Sequence, residues 1–499
     1  MTITHFKGVD WIVAWDAARE SHIYLRGGDL VFEGNSISFI GRQYFGARDT
    51  VVDGDGLCLM PGFVDIHAHP ATEIFYRGLR EDHSVPEHYM TGLYERSCAY
   101  SPHIDRALLP FGAEASYAEL MLSGVTTLVD ITAPYPGWMD VMVKSGLRMF
   151  AAPTFETSSW YRENIHQLKF DEDIPKGEQM FAEALDLVEE ARRHPSGRLD
   201  GIISPSTIDK VLPEMLLESR AEASERGFVW TTHTSQSVLE FNIMVERHGV
   251  TPIQFLAERD LLGEGTILGH AILPDSSTWI GWHSRNDIEL IGDVGTGVAH
   301  CPTPFMRYGT TMESFGHYLD AGVVMGIGTD TIPHNFIEDM RSAAILGRVA
   351  EHDGNTASTG DVFYAGTAGG AKALMRDDIG RLAVGAKADI IVVDCTHPMM
   401  LPARDPVACL LHNAADRAIR DVYIDGQQTI RGGEVLTLNH RGAAERIVEG
   451  QARMEAAVQA FSHDRLSPRV LDAVARNAAS SWTQSGHFKG KVKKLRQLL

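Results

Sequence analysis

Pro61-Gly62-Phe63-Val64-Asp65-Ile66-His67-Ala68-His69-Pro70 is the stretch that decides the reading of this chain. An apolar run bounded by a Pro-Gly turn reads as a buried strand, and this one ends in two histidines spaced two apart. Side chains at i and i+2 of a strand point to one side, so both imidazoles can reach one metal ion. With 22 histidines in the chain, one such pair carries little weight alone. Its weight comes from three further strand-like runs that end in His233, His270 and Asp330. Those residue types complete a nitrogen and oxygen coordination sphere for zinc or a similar first-row ion.

Beyond this run, short β-rich segments alternate with helical ones as far as Leu374, the pattern of a parallel sheet wrapped by helices. Eight strands are expected, at 62–67, 126–131, 148–154, 201–204, 229–233, 266–270, 297–300 and 323–328. Between them lie helical patterns such as 177–193, with Met180, Ala184, Leu187, Val188 and Ala191 on one face, and 213–226. Eight β/α units of this total length fit a TIM barrel.

The flanks have a different texture. Residues 1–60 hold short alternating runs at 23–25, 30–32 and 36–40, and the same texture returns at 388–394 and 422–426. These read as two parts of one small β-sandwich, 1–60 and 376–436, split in sequence by a barrel over 61–375. A helical extension, 437–499, ends in the basic tail Lys489, Lys491, Lys493, Lys494 and Arg496, which reads as a solvated helix end or docking segment.

The 499-residue chain has 44% hydrophobic content, enough for a large core. Its 45 basic and 66 acidic residues give a net charge of −21, which disfavours nucleic acid or an anionic membrane as partner and favours a small molecule. No charged segment followed by a long apolar one stands at the N-terminus, so no signal peptide is expected. No apolar run reaches about 18 residues, so no membrane span is expected either. Cys58, Cys98, Cys301, Cys395 and Cys409 are odd in number and widely spread, unlike a disulfide framework or a zinc knuckle, and fit a reducing cytoplasm.

Catalytic groups of a TIM barrel sit at the C-terminal ends of its strands, whose loops share one face. His67 and His69 close the expected first strand, His233 the fifth, His270 the sixth, His300 the seventh and Asp330 the eighth. Scattered core histidines have no reason to keep this register. His283, His334 and His412 lack such a context and read as surface or packing residues. The loops after the first, third and seventh strands also supply Phe75, Tyr76 and Tyr89, then Trp160 and Tyr161, then Phe305, Met306 and Tyr308. Flat rings on one side of the mouth suit a planar substrate.

At this point the sequence resembles the metal-dependent amidohydrolase superfamily, in the branch of triazine hydrolases and nucleobase or nucleoside deaminases. The resemblance spans nearly all of residues 20–436. It rests on the Pro-Gly-Phe-Val-Asp-Ile-His-Ala-His-Pro run with Arg77-Gly78, on Thr232-His233, on Gly269-His270 and on Val298-Ala299-His300-Cys301-Pro302. Gly328-Thr329-Asp330, running through Asn335 to Asp339-Met340-Arg341, and the segment 379–389 complete it.

The resemblance implies one divalent metal, zinc with ferrous iron as the alternative, held by His67, His69, His233 and Asp330 with water. A metal ion lowers the pKa of bound water to about 7. Asp330 then takes a proton as the nucleophile attacks an sp² carbon, and passes it to the leaving group. His270 polarises that carbon or orients the water. His300 lies near the site in this branch, and a homo-oligomer is implied.

Three positions depart from the deaminase pattern. Many ring deaminases carry Glu three residues after the fifth-strand histidine, as a proton shuttle to a ring nitrogen; here it is Gln236, which cannot do that work. A substrate-contacting His behind Pro is replaced by Pro205-Ser206, and the usual Ser-Asn after the seventh-strand motif by Pro304-Phe305. The His300-Cys301-Pro302-Thr303-Pro304 form and the Pro205-Ser206 pair look closer to the hydroxytriazine aminohydrolases than to adenosine or guanine deaminases. The reading is a cytoplasmic hydrolase that cleaves a non-peptide carbon–nitrogen bond, with Asp330, His270 and Gln236 as reacting groups. His300, Trp160, Phe305 and Ser206 are the expected substrate contacts. Its chemistry is displacement of an amine or ammonia from a heteroaromatic ring carbon. Cleavage of a cyclic or aryl amide, or of carbon–chlorine, on the same scaffold is the alternative, and a catalytically silent assembly protein the remote one.

Overall fold

The computed structural model describes residues 2–79, 88–162, 167–313 and 315–465, with side chains as far as 458. The basic tail and the rest of the expected extension beyond 465 lie outside the described residues.

Eight parallel strands close a barrel. They are β1 (Phe63–Ala68), β2 (Val125–Thr132), β3 (Arg148–Phe155), β4 (Leu199–Pro205), β5 (Val229–Thr234), β6 (Thr266–His270), β7 (Gly297–His300) and β8 (Val324–Ile327). All eight fall where the apolar runs place them. Val64, Ile66, Val129, Ile131, Phe150, Ala152, Ile202, Val229, Ile267 and Ala299 form one buried cluster, with Val324 against it, so every strand contributes to the filled interior.

The helices that matter for the site are α1 (Leu109–Leu122), α2 (Ile174–Arg192), α3 (Pro213–Arg226), α4 (Val238–His248), α5 (Phe315–Asp320), α6 (Phe336–Glu351) and α7 (His440–Arg465). In α2 the buried face is Gly177, Phe181, Ala184, Val188 and Ala191. Met180 and Leu187, expected on that face, are only half-buried, and Phe181 takes the position instead.

Strands from both chain ends form one nine-stranded sheet. Leu57–Pro61 pairs with Ile390–Asp394 on one side and with Ile3–Asp16 on the other. The short runs expected at 23–25 and 30–32 are one long strand, Ser21–Glu33, in a hairpin with Ile3–Asp16. The reason is local. Gly27 takes the left-handed φ of +63° that a side chain resists, so the strand passes through a kink instead of ending in a turn. The sheet curves over its own core, where Phe6 and Phe32 meet Tyr423. No helix among the described residues is long and apolar enough to cross a membrane.

Candidate active site

Barrel closure between β8 and β1 assembles the first three side chains. Asp330 N–H donates to the His67 carbonyl at 2.8 Å, and His69 N–H donates to the Asp330 carbonyl at 2.9 Å. This pairs the residues that follow the two strands. The Asp330 carboxylate then lies 3.6 Å from Nε2 of His67 and 3.4 Å from Nε2 of His69. β5 and β6 bring the other two imidazoles, with ring centroids of His233 and His270 each 4.7 Å from that of His67. Gly269 faces this crowd, and a Cβ there would meet the His67 ring at 2.7 Å. Among the described residues, His67, His233, His270 and Asp330 place one ligand atom each within 4.8 Å of one another.

Hydrogen bonds fix which nitrogens face inward. Nδ1 of His69 lies 2.7 Å from the Ile131 carbonyl, and Nδ1 of His233 lies 2.5 Å from the Ser206 carbonyl. A carbonyl only accepts, so both Nδ1 atoms carry a proton, and in the neutral rings each Nε2 keeps a lone pair. Those Nε2 atoms stand 3.0 Å apart. Two lone pairs at that distance repel unless a metal ion or a shared proton lies between them. His67 is wholly buried with both ring nitrogens lacking a hydrogen-bond partner, as does Nδ1 of His270. The donor set of imidazoles and one carboxylate therefore fits a first-row divalent ion.

The electrostatics agree with that set. Burial, then neighbouring imidazoles, holds His67, His233 and His270 well below the ordinary histidine range, in the neutral form that coordinates metal. Burial raises the Asp330 carboxyl, while His69, His233 and Arg96 pull it back.

The other expected residues scatter in role. Gln236 is buried and lines a cleft with Tyr89, Leu273, Phe305 and Tyr308. Phe305 also meets the His270 ring edge-on at 4.8 Å. His300 is buried against Phe315, and burial pushes its pKa down to about 3. Ser206 supports the cluster through its carbonyl on His233. Trp160 is half-buried; its Nε1–H donates to Asp209 at 3.0 Å and its ring meets Tyr94 at 4.9 Å. Phe75 and Tyr76, expected at the mouth, are buried in the core. Phe75 lies where a Cβ on Gly450 of α7 would touch it.

Three supporting residues escape a reading of the sequence. Asp65 accepts from the N–H of His67 at 3.1 Å and from the N–H and hydroxyl of Thr329 at 3.2 and 2.7 Å, tying the end of β1 to the residue before Asp330. His334, classed above with surface or packing residues, is buried with Nδ1 3.3 Å from the Thr329 hydroxyl. Glu240 is wholly buried and accepts the N–H of Gln236 at 2.9 Å. The available signal for His334 was its place inside Gly-Thr-Asp-Thr-Ile-Pro-His-Asn, four residues beyond a strand-end carboxylate.

Comparison with known proteins fits this geometry. A 5-methylthioadenosine/S-adenosylhomocysteine deaminase of Natronomonas pharaonis is 28% identical over 410 residues, covering 81% of this chain and 89% of that one. Among solved structures, a triazine hydrolase of Arthrobacter aurescens aligns with a TM-score of 0.77 at 21% identity, over 91% of this chain and 99% of its own. An adenosine deaminase of Xanthomonas campestris with bound zinc aligns at 0.75 and 19% identity, over 91% and 98%. Residues 58–429 match the profile of the Amidohydrolase family, which is most of the chain, so the chain belongs to the amidohydrolase family.

Proposed function

We propose that this enzyme is a metal-dependent aminohydrolase that releases ammonia or an amine from a ring carbon of a small heteroaromatic compound. The observation that carries the reading is the pair of Nε2 atoms of His69 and His233, 3.0 Å apart beside the Asp330 carboxylate, with both Nδ1 atoms bound to carbonyls. His67, His69, His233 and Asp330 would hold the ion. The chemistry it would supply is Lewis acidity, which lowers the pKa of a water to about 7. Asp330 accepts the proton of the attacking water and returns it to the departing amine. His270, held neutral by burial, hydrogen-bonds the group on the carbon under attack. Gln236 offers an amide N–H to a ring nitrogen, which it orients without protonating. Phe305, with Tyr89 and Tyr308 across the cleft, grips the ring. His300 and Ser206 border the substrate, and Trp160 supports the rim through Tyr94.

The same reading assigns one ion per subunit, zinc ahead of ferrous iron, a homo-oligomer and a cytoplasmic setting. It divides the chain into a sheet domain from 1–60 and 376–436, a barrel from 61–375 and an extension from 437–499. Gln236 favours one second reading, cleavage of a cyclic or aryl amide, since such a substrate needs no proton on a ring nitrogen.

The test is ammonia release by zinc-loaded protein from 5'-methylthioadenosine, 5'-deoxyadenosine, aminated triazines and pyrimidines, with aryl amides assayed in parallel. Release from at least one aminated ring is expected. Cleavage of amides alone would replace the first reading by the second.

A further inference from the structure

The strand ends that carry His233 and His270 run on into two turns whose backbone is unusual. Ser235 has φ +53°, His270 +80° and Ala271 +44°. Residues with a Cβ avoid this region, and hold it only where the surroundings over-determine it. Here the two turns bind each other. Ala271 N–H donates to the Thr234 carbonyl at 3.0 Å, Leu273 N–H to the Ser235 carbonyl at 3.1 Å, and the Ser235 hydroxyl to the Leu273 carbonyl at 2.5 Å. His270 and Gln236 therefore sit on one hydrogen-bonded unit.

Two wholly buried side chains grip that unit from behind. Glu240, in the first turn of α4, accepts the N–H of Ser235 on one carboxylate oxygen and the N–H of Gln236 on the other, both at 2.9 Å. Tyr318 of α5 donates its hydroxyl to the Ala271 carbonyl. Helix capping accounts for only part of this. Ser237 caps α4 by accepting from Glu240 N–H, and a capping box would need the carboxylate only at the N–H of the cap residue. Glu240 takes the N–H groups of the two residues before the cap, and those residues lead to the mouth of the site.

We propose that Glu240 and Tyr318 are positioning residues for the reaction, which together hold the Gln236 amide and the His270 imidazole in fixed register over the reacting carbon. The proposal rests on the reading that His270 and Gln236 face that carbon. A displacement of about 1 Å in such groups costs on the order of 10²-fold in rate, so the strained turns must be clamped to be useful.

The experiment compares Glu240→Gln, Tyr318→Phe, their double variant and His270→Asn on the panel compound that releases ammonia fastest. It reads kcat, KM, bound metal and melting temperature. Both clamp substitutions nearly preserve volume, and each removes one or two hydrogen bonds. Each is expected to lower kcat ~10-fold with KM changed by no more than ~2-fold and metal content unchanged. The double variant should lose less than the product of the two, because both act on one unit. Hydrogen exchange of the 234–237 backbone should speed up in Glu240→Gln whatever the substrate. Wild-type kcat in either clamp variant beside an impaired His270→Asn would overturn the clamp alone, as would a kcat loss that follows lost metal. Wild-type kcat in His270→Asn would overturn the reading of the site, and the clamp with it.

Discussion

Asp330 stands in the left-handed region, at φ +56°, a conformation Asp and Asn tolerate better than other side chains with a Cβ. Asp330→Asn therefore keeps both backbone and volume while removing the proton acceptor. Turnover should fall by at least ~10²-fold with an unchanged circular dichroism spectrum, and wild-type turnover would refute the role given to this carboxylate. His334 makes a separate prediction through pH. Burial, with Arg77 and His69 adding to it, pushes its pKa down to about 3, whereas an unfolded histidine titrates near 6.5. Below pH ~6.5 the unfolded chain takes up a proton that the folded site refuses, so this contribution to stability is present above 6.5 and is lost progressively as pH falls towards 3. His334→Gln should flatten the fall of melting temperature over that window, and superimposable slopes would place the acid sensitivity elsewhere. The contrast between these two residues marks what could be read from the sequence. Asp330 was legible because it follows an apolar strand in a recognisable tripeptide. His334 and Glu240 were not, because their roles are set by what lies opposite them: a threonine hydroxyl in one case, two backbone N–H groups in the other.

At the scale of elements, β3 is tied to the terminal sheet by charge. Arg148, buried at the start of that strand, donates to both oxygens of Asp389, at 3.0 and 3.2 Å, and to Asp425 at 2.9 Å. Asp425 N–H reaches the same Asp389 carboxylate at 2.7 Å. Removing the guanidinium leaves a buried carboxylate without its counter-charge, so Arg148→Met should destabilise the protein by about 3–5 kcal/mol in urea denaturation. Bound metal should not change, since the triad lies at the opposite end of β3 from the site. A loss under about 1 kcal/mol would mean that the carboxylates are neutralised another way. The barrel strands themselves were readable because burial on both faces makes each a continuous apolar run. The terminal hairpin was not, because a glycine that bends a strand and a glycine that ends one look the same in sequence.

At the scale of the molecule, the amidohydrolase barrel is enclosed by structure drawn from both sides of it. α7 reaches back over the loop that follows His69, where Gln451 donates to the carbonyls of Phe75 at 2.9 Å and Arg77 at 2.8 Å. That loop is thereby held by residues from the far end of the described chain. Both parts of the sheet and their common texture are legible in the sequence, but the order in which their strands interleave follows from pairing across the whole barrel and leaves no local trace. That interleaving also has a meaning in time. The strand Leu57–Pro61 is buried at every residue, and one of its two edges waits for Ile390–Asp394. At about 5–20 residues per second on the ribosome, the delay is on the order of tens of seconds. Throughout it a nascent chain carries an apolar, unpaired strand edge immediately before the histidines it must later present, an exposure that invites wrong pairing until Ile390–Asp394 has been made.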